Sequence, residues 1–173
     1  MTGTAVHIPT LATARLVLRA HRLADFDAYV ETLASERARW MDRLDRRDAW
    51  FAFANDVAGW QLHGYGGLAV DLYDGTHVAL CGIQRPAHFP EPELGWILHA
   101  GHEGRGYATE AARAVLDWAR GRVASLVSYV TPGNDRSAAV ARRLGARLDG
   151  AAPLPDGETP AETVVFRHWG APA

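Results

Sequence analysis

The sequence predicts one domain of mixed α/β or α+β class, and three features lead there. Segments of period two and segments of helical period follow one another without regular alternation. One strand pair is joined by Asp74-Gly75, a dipeptide suited to the tight turn of an antiparallel hairpin. Another strand runs through a glycine-rich turn directly into the clearest helix of the chain. With 173 residues, a single core can support itself, so the domain is expected to span 1–173.

From Arg15 to Arg19, Leu16 and Leu18 alternate with polar or basic positions, which predicts a strand. Asp25 opens a helical pattern through Phe26, Tyr29, Val30 and Leu33. The charged stretch from Arg37 to Arg47 reads as a solvated helix or loop. Asp48 is suited to cap a second helix with apolar positions at Trp50, Phe51, Phe53, Val57 and Trp60. Gly64-Tyr65-Gly66-Gly67 breaks it, and strands follow near Leu68 to Tyr73 and His77 to Ile83. Pro86, Pro90 and Pro92 form a loop, and Glu93 to Leu98 is the next strand. Ala108, Ala111, Ala112, Val115, Leu116 and Ala119 then recur at helical spacing, with Gly121 as the stop. Ser125 to Thr131 is a strand, Ser137 to Leu144 a short helix ended by Gly145, and Thr163 to Trp169 the last strand.

Composition narrows the function classes. A net charge of -2 gives no bulk attraction to nucleic acid. No apolar run approaches the ~20 residues that span a bilayer, and no basic-then-apolar leader opens the chain, so a cytoplasmic location is expected. The single cysteine, Cys81, excludes a disulfide framework and a clustered-thiol metal site. It lies in an apolar strand and reads as an inert core thiol. His88, His99 and His102 lack metal-ligand spacing, so no metal is expected.

The chemistry concentrates in His102 to Glu110. The first amides of a helix lack intrahelical partners and sit at the positive end of its dipole. Gly104 and Gly106 remove the Cβ atoms that would keep a phosphate from those amides. Glu103 to Thr109 is therefore a candidate diphosphate cradle. The dinucleotide fingerprint is excluded because Thr109 stands where its third glycine belongs. The ATP-binding P-loop is excluded because the chain has no lysine; all 18 basic residues are arginine. The diphosphate of coenzyme A (CoA) remains.

Glu93-Leu94-Gly95-Trp96-Ile97-Leu98 followed by Gly104-Arg105-Gly106-Tyr107-Ala108-Thr109-Glu110-Ala111 resembles the central motif of the GNAT N-acetyltransferase superfamily. It is closest to the branch of ribosomal-protein N-terminal acetyltransferases. Arg15 to Arg19 with Asp25, Ala79 to Ile83, and Asn134-Asp135-Arg136-Ser137 through Gly145 resemble further elements of that branch in the same order. The resemblance implies a mixed, mostly antiparallel splayed sheet flanked by helices, with acetyl-CoA as acyl donor. It implies that backbone groups of Trp96, Ile97 and Leu98 pair with the pantetheine arm. The turn Glu103, Gly104, Arg105, Gly106, Tyr107, Ala108 and Thr109 would hold the diphosphate, and Asn134 would bond the arm. The acceptor would be a small-molecule amine or a protein N-terminus. Family members often dimerise, which leaves a homodimer open. A lysine-free transferase offers itself no side-chain amine.

Acetyl transfer to an amine needs a neutral nitrogen, a polarised thioester and a proton for the departing thiolate. Glu93 is the candidate base, because it opens the strand beside the expected thioester. Many family members carry a tyrosine seven residues after the asparagine; this chain has Ala141 there. Ser137 stands where the nearest branch has a serine thought to assist the thiolate, and is the second catalytic candidate. Glu110 is assigned to a helix-end contact. Candidate acceptor-lining residues are Trp40, Met41, Trp50, Phe51 and Phe89. The rival readings are a non-catalytic CoA-binding module and transfer of another acyl group or to another acceptor.

Overall fold

The computed structural model describes residues 6–41 and 43–170. The described residues form a single sheet of eight strands: β1 (Leu11–Ala12), β2 (Leu16–Arg19), β3 (Gly67–Leu72), β4 (His77–Gln84), β5 (Glu93–Leu98), β6 (Leu126–Val130), β7 (Arg147–Leu148) and β8 (Val164–Trp169). Their spatial order is β1-β2-β3-β4-β5-β6-β8-β7, antiparallel throughout except between β5 and β6. The helices are α1 (Phe26–Ala34), α2 (Arg46–His63), α3 (Tyr107–Ala119) and α4 (Asp135–Arg143). The mixed, mostly antiparallel sheet that the resemblance implied is what forms. The strands that the period did not reveal, β1 and β7, have two residues each, too few to display a period.

Strand alternation sorts the core onto two faces. Leu80 of β4 and Ile97 of β5 pack with Phe26, Tyr29 and Leu33 of α1 and Ala49 and Phe53 of α2. Cys81, Ile83 and Leu94 turn the other way, onto Ala111, Ala112, Val115 and Leu116 of α3. On the far side of β5, Ala138 and Ala141 of α4 cover Val130 and Phe166.

Helix α2 departs from expectation in cap and in face. Asp45, not Asp48, is the N-cap, and its carboxylate accepts the Asp48 N–H at 2.9 Å. The inward stripe is Ala49, Phe53, Asp56 and Trp60, while Trp50, Phe51 and Val57 are exposed. Apolar residues lie all around this helix, so its period alone did not fix which side faces in. A carboxylate thus occupies a core position. Space for it comes from Gly67 of β3, where a Cβ would stand 2.6 Å from the Asp56 carboxyl carbon.

The sheet opens beside β5. One parallel bridge, Glu93 with Val127, joins β5 to β6, supported by the Val127 N–H donating to Pro92 O at 3.1 Å. Beyond it the described strands share no further backbone register. Ser128, 1% exposed, bridges the opening by donating its hydroxyl to Leu94 O at 2.6 Å. With that proton committed, His168 Nε2 donates to Ser128 Oγ at 3.0 Å. A side chain replaces the ladder bond where the strands part.

Candidate active site

The phase of the β4–β5 ladder decides which groups of β5 face the opening. His99 N–H donates to Val78 O at 2.9 Å, so Ile97, Gly95 and Glu93 exchange their bonds with Leu80, Gly82 and Gln84. Leu94, Trp96 and Leu98 therefore turn their N–H and C=O groups toward the gap. Leu94 O takes the Ser128 hydroxyl, and Leu98 O takes Arg37 Nε at 2.9 Å. This corrects one expectation: the backbone of Ile97 is committed to β4, because alternate residues of a strand point opposite ways. The backbone groups of Trp96 and the N–H of Leu98 face the gap. The Trp96 indole packs between the clusters under α3 and α4.

This edge leads into the turn before α3. Gly104 and Gly106 have φ of +75° and +81°, so their conformation calls for glycine before clearance is considered. A Cβ on Gly106 would meet only Arg15 Nη2, at 3.5 Å. Glu110 N–H makes the first helical bond, to Gly106 O at 3.1 Å. The amides of Tyr107, Ala108 and Thr109 thus head the helix without intrahelical acceptors. The turn is held from two sides. Glu110 accepts from Thr13 Oγ1 at 2.6 Å and Arg15 Nε at 2.7 Å, and Arg15 Nη1 donates to Arg105 O at 2.9 Å. Glu110 is accordingly a tie between the β1–β2 loop and α3. On the other side, Arg37 pairs with Glu103 and holds its carboxyl below the usual range. That ion pair neutralises an acidic side chain that would otherwise repel a phosphate. Arg105 is exposed on the turn.

Asn134 caps α4, its side-chain oxygen accepting the Ser137 N–H at 3.2 Å. That use leaves the Asn134 amide N–H groups and the Ser137 hydroxyl on the α4 side of the gap. The segment after α1 spans the opening. Arg37 reaches the end of β5, Thr131 Oγ1 donates to Trp40 O at 2.7 Å, and the Trp40 ring lies 3.3 Å from where a Gly133 Cβ would stand.

Glu93 points to the opposite face, toward α1 and α2. Its carboxylate folds over Gly95, lying 3.9 Å from the place of an absent Cβ. Burial pushes this carboxyl up to about 7, the Tyr129 N–H opposes that, and the charges of Asp56 and Glu158 reinforce it. Asp56, 3% exposed, accepts from Tyr29 Oη at 3.0 Å and from Gln84 Nε2. Burial pushes its carboxyl up to about 7 as well, against those two hydrogen bonds. Phe89 meets Tyr129 edge-on at 5.0 Å. Burial raises the Tyr129 phenol to about 12, and its buried Oη has no partner among the described residues. Phe89 and Trp40 thus flank the opening. Met41, Trp50 and Phe51 are exposed, and Trp50 packs edge-on to Phe26 instead.

Of the histidines, His99 bonds Thr32 Oγ1 through Nδ1 at 2.6 Å and lies 4.5 Å from the His77 ring. Among the described residues no three His, Cys, Asp or Glu side chains are arranged to hold a metal. Burial pushes the Cys81 thiol far up, so it stays protonated and unreactive. Asp56, Gln84, Tyr29, Arg37 and Tyr129 were not singled out as site residues from the sequence. A signal existed for Asp56, which continues the i, i+3, i+7 stripe of Phe53 and Trp60.

Residues 15–147 match the family of the acetyltransferase (GNAT) domain. An acetyltransferase from Agrobacterium tumefaciens strain C58 has this fold with a TM-score of 0.88 and 43% identity, over 98% of this chain and 99% of that one. RimL, a ribosomal L7/L12 alpha-N-protein acetyltransferase seen in complex with CoA, shares the fold at a TM-score of 0.71 and 17% identity, over 92% of this chain and 96% of that one. YkkB, an uncharacterised protein of Bacillus subtilis strain 168, is 35% identical over 82 residues. That stretch is 45% of this chain and 48% of YkkB, so the match spans about half the curated relative's length.

Proposed function

The chain belongs to the GNAT acetyltransferase family, and from that premise we propose that it moves the acetyl group of acetyl-CoA directly to a primary amine. The observation that carries this reading is the gap-facing edge of β5 at Trp96, which runs into the unbonded amides of Tyr107, Ala108 and Thr109. An extended pantetheine arm pairs with such an edge as an added strand would. A diphosphate suits helix-start amides beyond glycines at positive φ.

The amine attacks the thioester carbonyl carbon, forming the C–N bond, and the C–S bond breaks with the electron pair leaving on sulfur. Glu93, a carboxyl with a midpoint near neutrality, takes a proton from the incoming ammonium. A gap-facing N–H of β5 is positioned to polarise the carbonyl oxygen, a contribution of a few kcal/mol. The thiolate recovers a proton by way of the Ser137 hydroxyl or ordered water, since Ala141 offers none. RimL acts on a protein α-amine, and an α-amine of pKa about 7.7–8.0 asks less of a base than a lysine-type amine. Protein N-termini and small-molecule amines are the acceptor classes.

Calorimetry with CoA and acetyl-CoA, with thiol release across an amine panel, tests this. Both nucleotides should raise the melting temperature, and at least one amine should release thiol. A protein whose melting neither nucleotide shifts refutes the cofactor assignment. Glu93→Gln should cut the rate about 10²–10⁴-fold while retaining CoA binding. Wild-type turnover in that variant would remove Glu93 as the base.

A further inference from the structure

Asp56 is the least expected side chain of the core. Ionisable groups are rarely placed under the inward stripe of a helix unless paired, and no cation pairs with this one among the described residues. Its contacts are instead a phenol from α1 and an amide from β4. The amide belongs to Gln84, which is the direct cross-strand partner of Glu93. Gln84 and Glu93 form a hydrogen-bonded antiparallel pair, so their side chains leave the sheet on the same face, about 5 Å apart at Cβ. Gly67 clears the space above the sheet for the Asp56 carboxyl, where a Cβ would stand 2.6 Å from its carbon.

We propose that Asp56 is a positioning residue for the Glu93 base: by holding Gln84, the cross-strand neighbour of Glu93, it sets a second carboxyl on the same face of the sheet, and the two carboxyl groups titrate as a coupled pair. This rests on the reading of Glu93 as the base. Two carboxyl groups in one poorly solvated place resist ionising together. The second ionisation is thereby delayed, and Glu93 keeps the proton affinity needed to draw a proton from an ammonium near neutral pH. An isolated solvated glutamate would ionise near ~4.3 and accept that proton poorly.

The groups facing the pair come from every neighbouring element. Tyr29 donates from α1, Gln84 from β4 and the Tyr129 N–H from β6, while Glu158 adds negative charge from the loop before β8. Glu91 lies beyond Tyr129 and is neutralised by Arg167, both guanidinium contacts being 2.8 Å. Among these groups the repulsion on Glu93 is assigned mainly to Asp56.

The test is the titration of Glu93 itself, which needs no acceptor. Side-chain carboxyl carbons are labelled with ¹³C in Asp and Glu, the Glu93 signal is identified by its loss in Glu93→Gln, and shifts are followed from pH 4 to 9. In the wild type, Glu93 and Asp56 should each show two inflections, as coupled groups do. In Asp56→Asn, Glu93 should titrate in a single step about one pH unit lower, yet above the solvated range because it stays buried. Tyr29→Phe, a smaller change, should move Glu93 in the same direction, because Asp56 without its donor stays protonated more readily and repels Glu93 less. It carries the test if Asp56→Asn does not fold. An unchanged Glu93 curve in a folded variant, or a wild-type Glu93 that titrates alone near ~4.3, overturns the proposal. Thiol release by Glu93→Gln judges the base assignment separately, so the two failures are distinguishable.

Discussion

Replacing Gly106 with alanine separates the two demands on that position. Its φ of +81° is left-handed backbone, which costs a residue with a Cβ roughly 1–2 kcal/mol. Inside the protein the new methyl meets only Arg15 Nη2, at 3.5 Å, so no clash adds to the strain. For a domain of this size each kcal/mol is about 2–4 °C in Tm, which gives a fall of roughly 2–8 °C. The methyl also stands at the head of α3, among the amides assigned to the diphosphate. Loss of one charge-assisted hydrogen bond there is worth about 1.5–3 kcal/mol, or roughly 10- to 150-fold in affinity. Gly121→Ala is the matched control. It has a φ of +74°, open space around it, and a place at the far end of the same helix, about 20 Å away. Differential scanning calorimetry should show similar losses of stability in both variants, and titration calorimetry should show weakened CoA binding only in Gly106→Ala. Equal CoA affinity in the two variants would refute the cradle.

The splay and the polar core allow further tests. Ser128→Ala removes the hydroxyl that satisfies Leu94 O and accepts from His168, leaving buried groups unpaired. It should lower urea stability by about 1–3 kcal/mol, and a loss below a few tenths would mean another group bridges the gap. His21 lies 5.0 Å from the Phe53 ring, both its ring nitrogens lack partners among the described residues, and burial lowers its pKa to about 4. A base depressed on folding leaves stability intact above the unfolded value of 6.5 and removes it as pH falls toward 4. This amounts to about 2 kcal/mol by pH 5. His21→Leu should flatten the acid side of the stability curve by that amount, and parallel wild-type and variant curves between pH 7 and 4.5 would contradict it.

Much of the fold was legible in the chain. Glu93–Leu98 was found to the residue, and the Asp74-Gly75 turn fixed the β3–β4 hairpin, because both signals are local. The stops at Gly121 and Gly145 lie at φ of +74° and +90°, where glycine is the residue that fits. The face of α2 was not legible. Trp50, Phe51 and Val57 offered as good a stripe as the one that is buried, and only packing against Gly66 and Gly67 at the start of β3 selects Asp56 for the inside.

The same division holds at the site. The glycine turn and the helix after it were legible as a candidate anion cradle, since backbone amides and positive φ are properties of the local chain. Which edge of β5 is open depends on the phase of its pairing with β4, and that turns Trp96 outward and Ile97 inward. The partners of Glu93 are decided at longer range still. Tyr29, Asp56, Gln84 and Tyr129 follow one another at intervals of 27 to 45 residues along the chain, and only the layering of α1 and α2 on the sheet brings them together. Local sequence determined the glycine turn and the free amides at the head of α3; the tertiary structure decided which carboxyl groups lie on one face of the sheet, because charge acts through space and not along the chain.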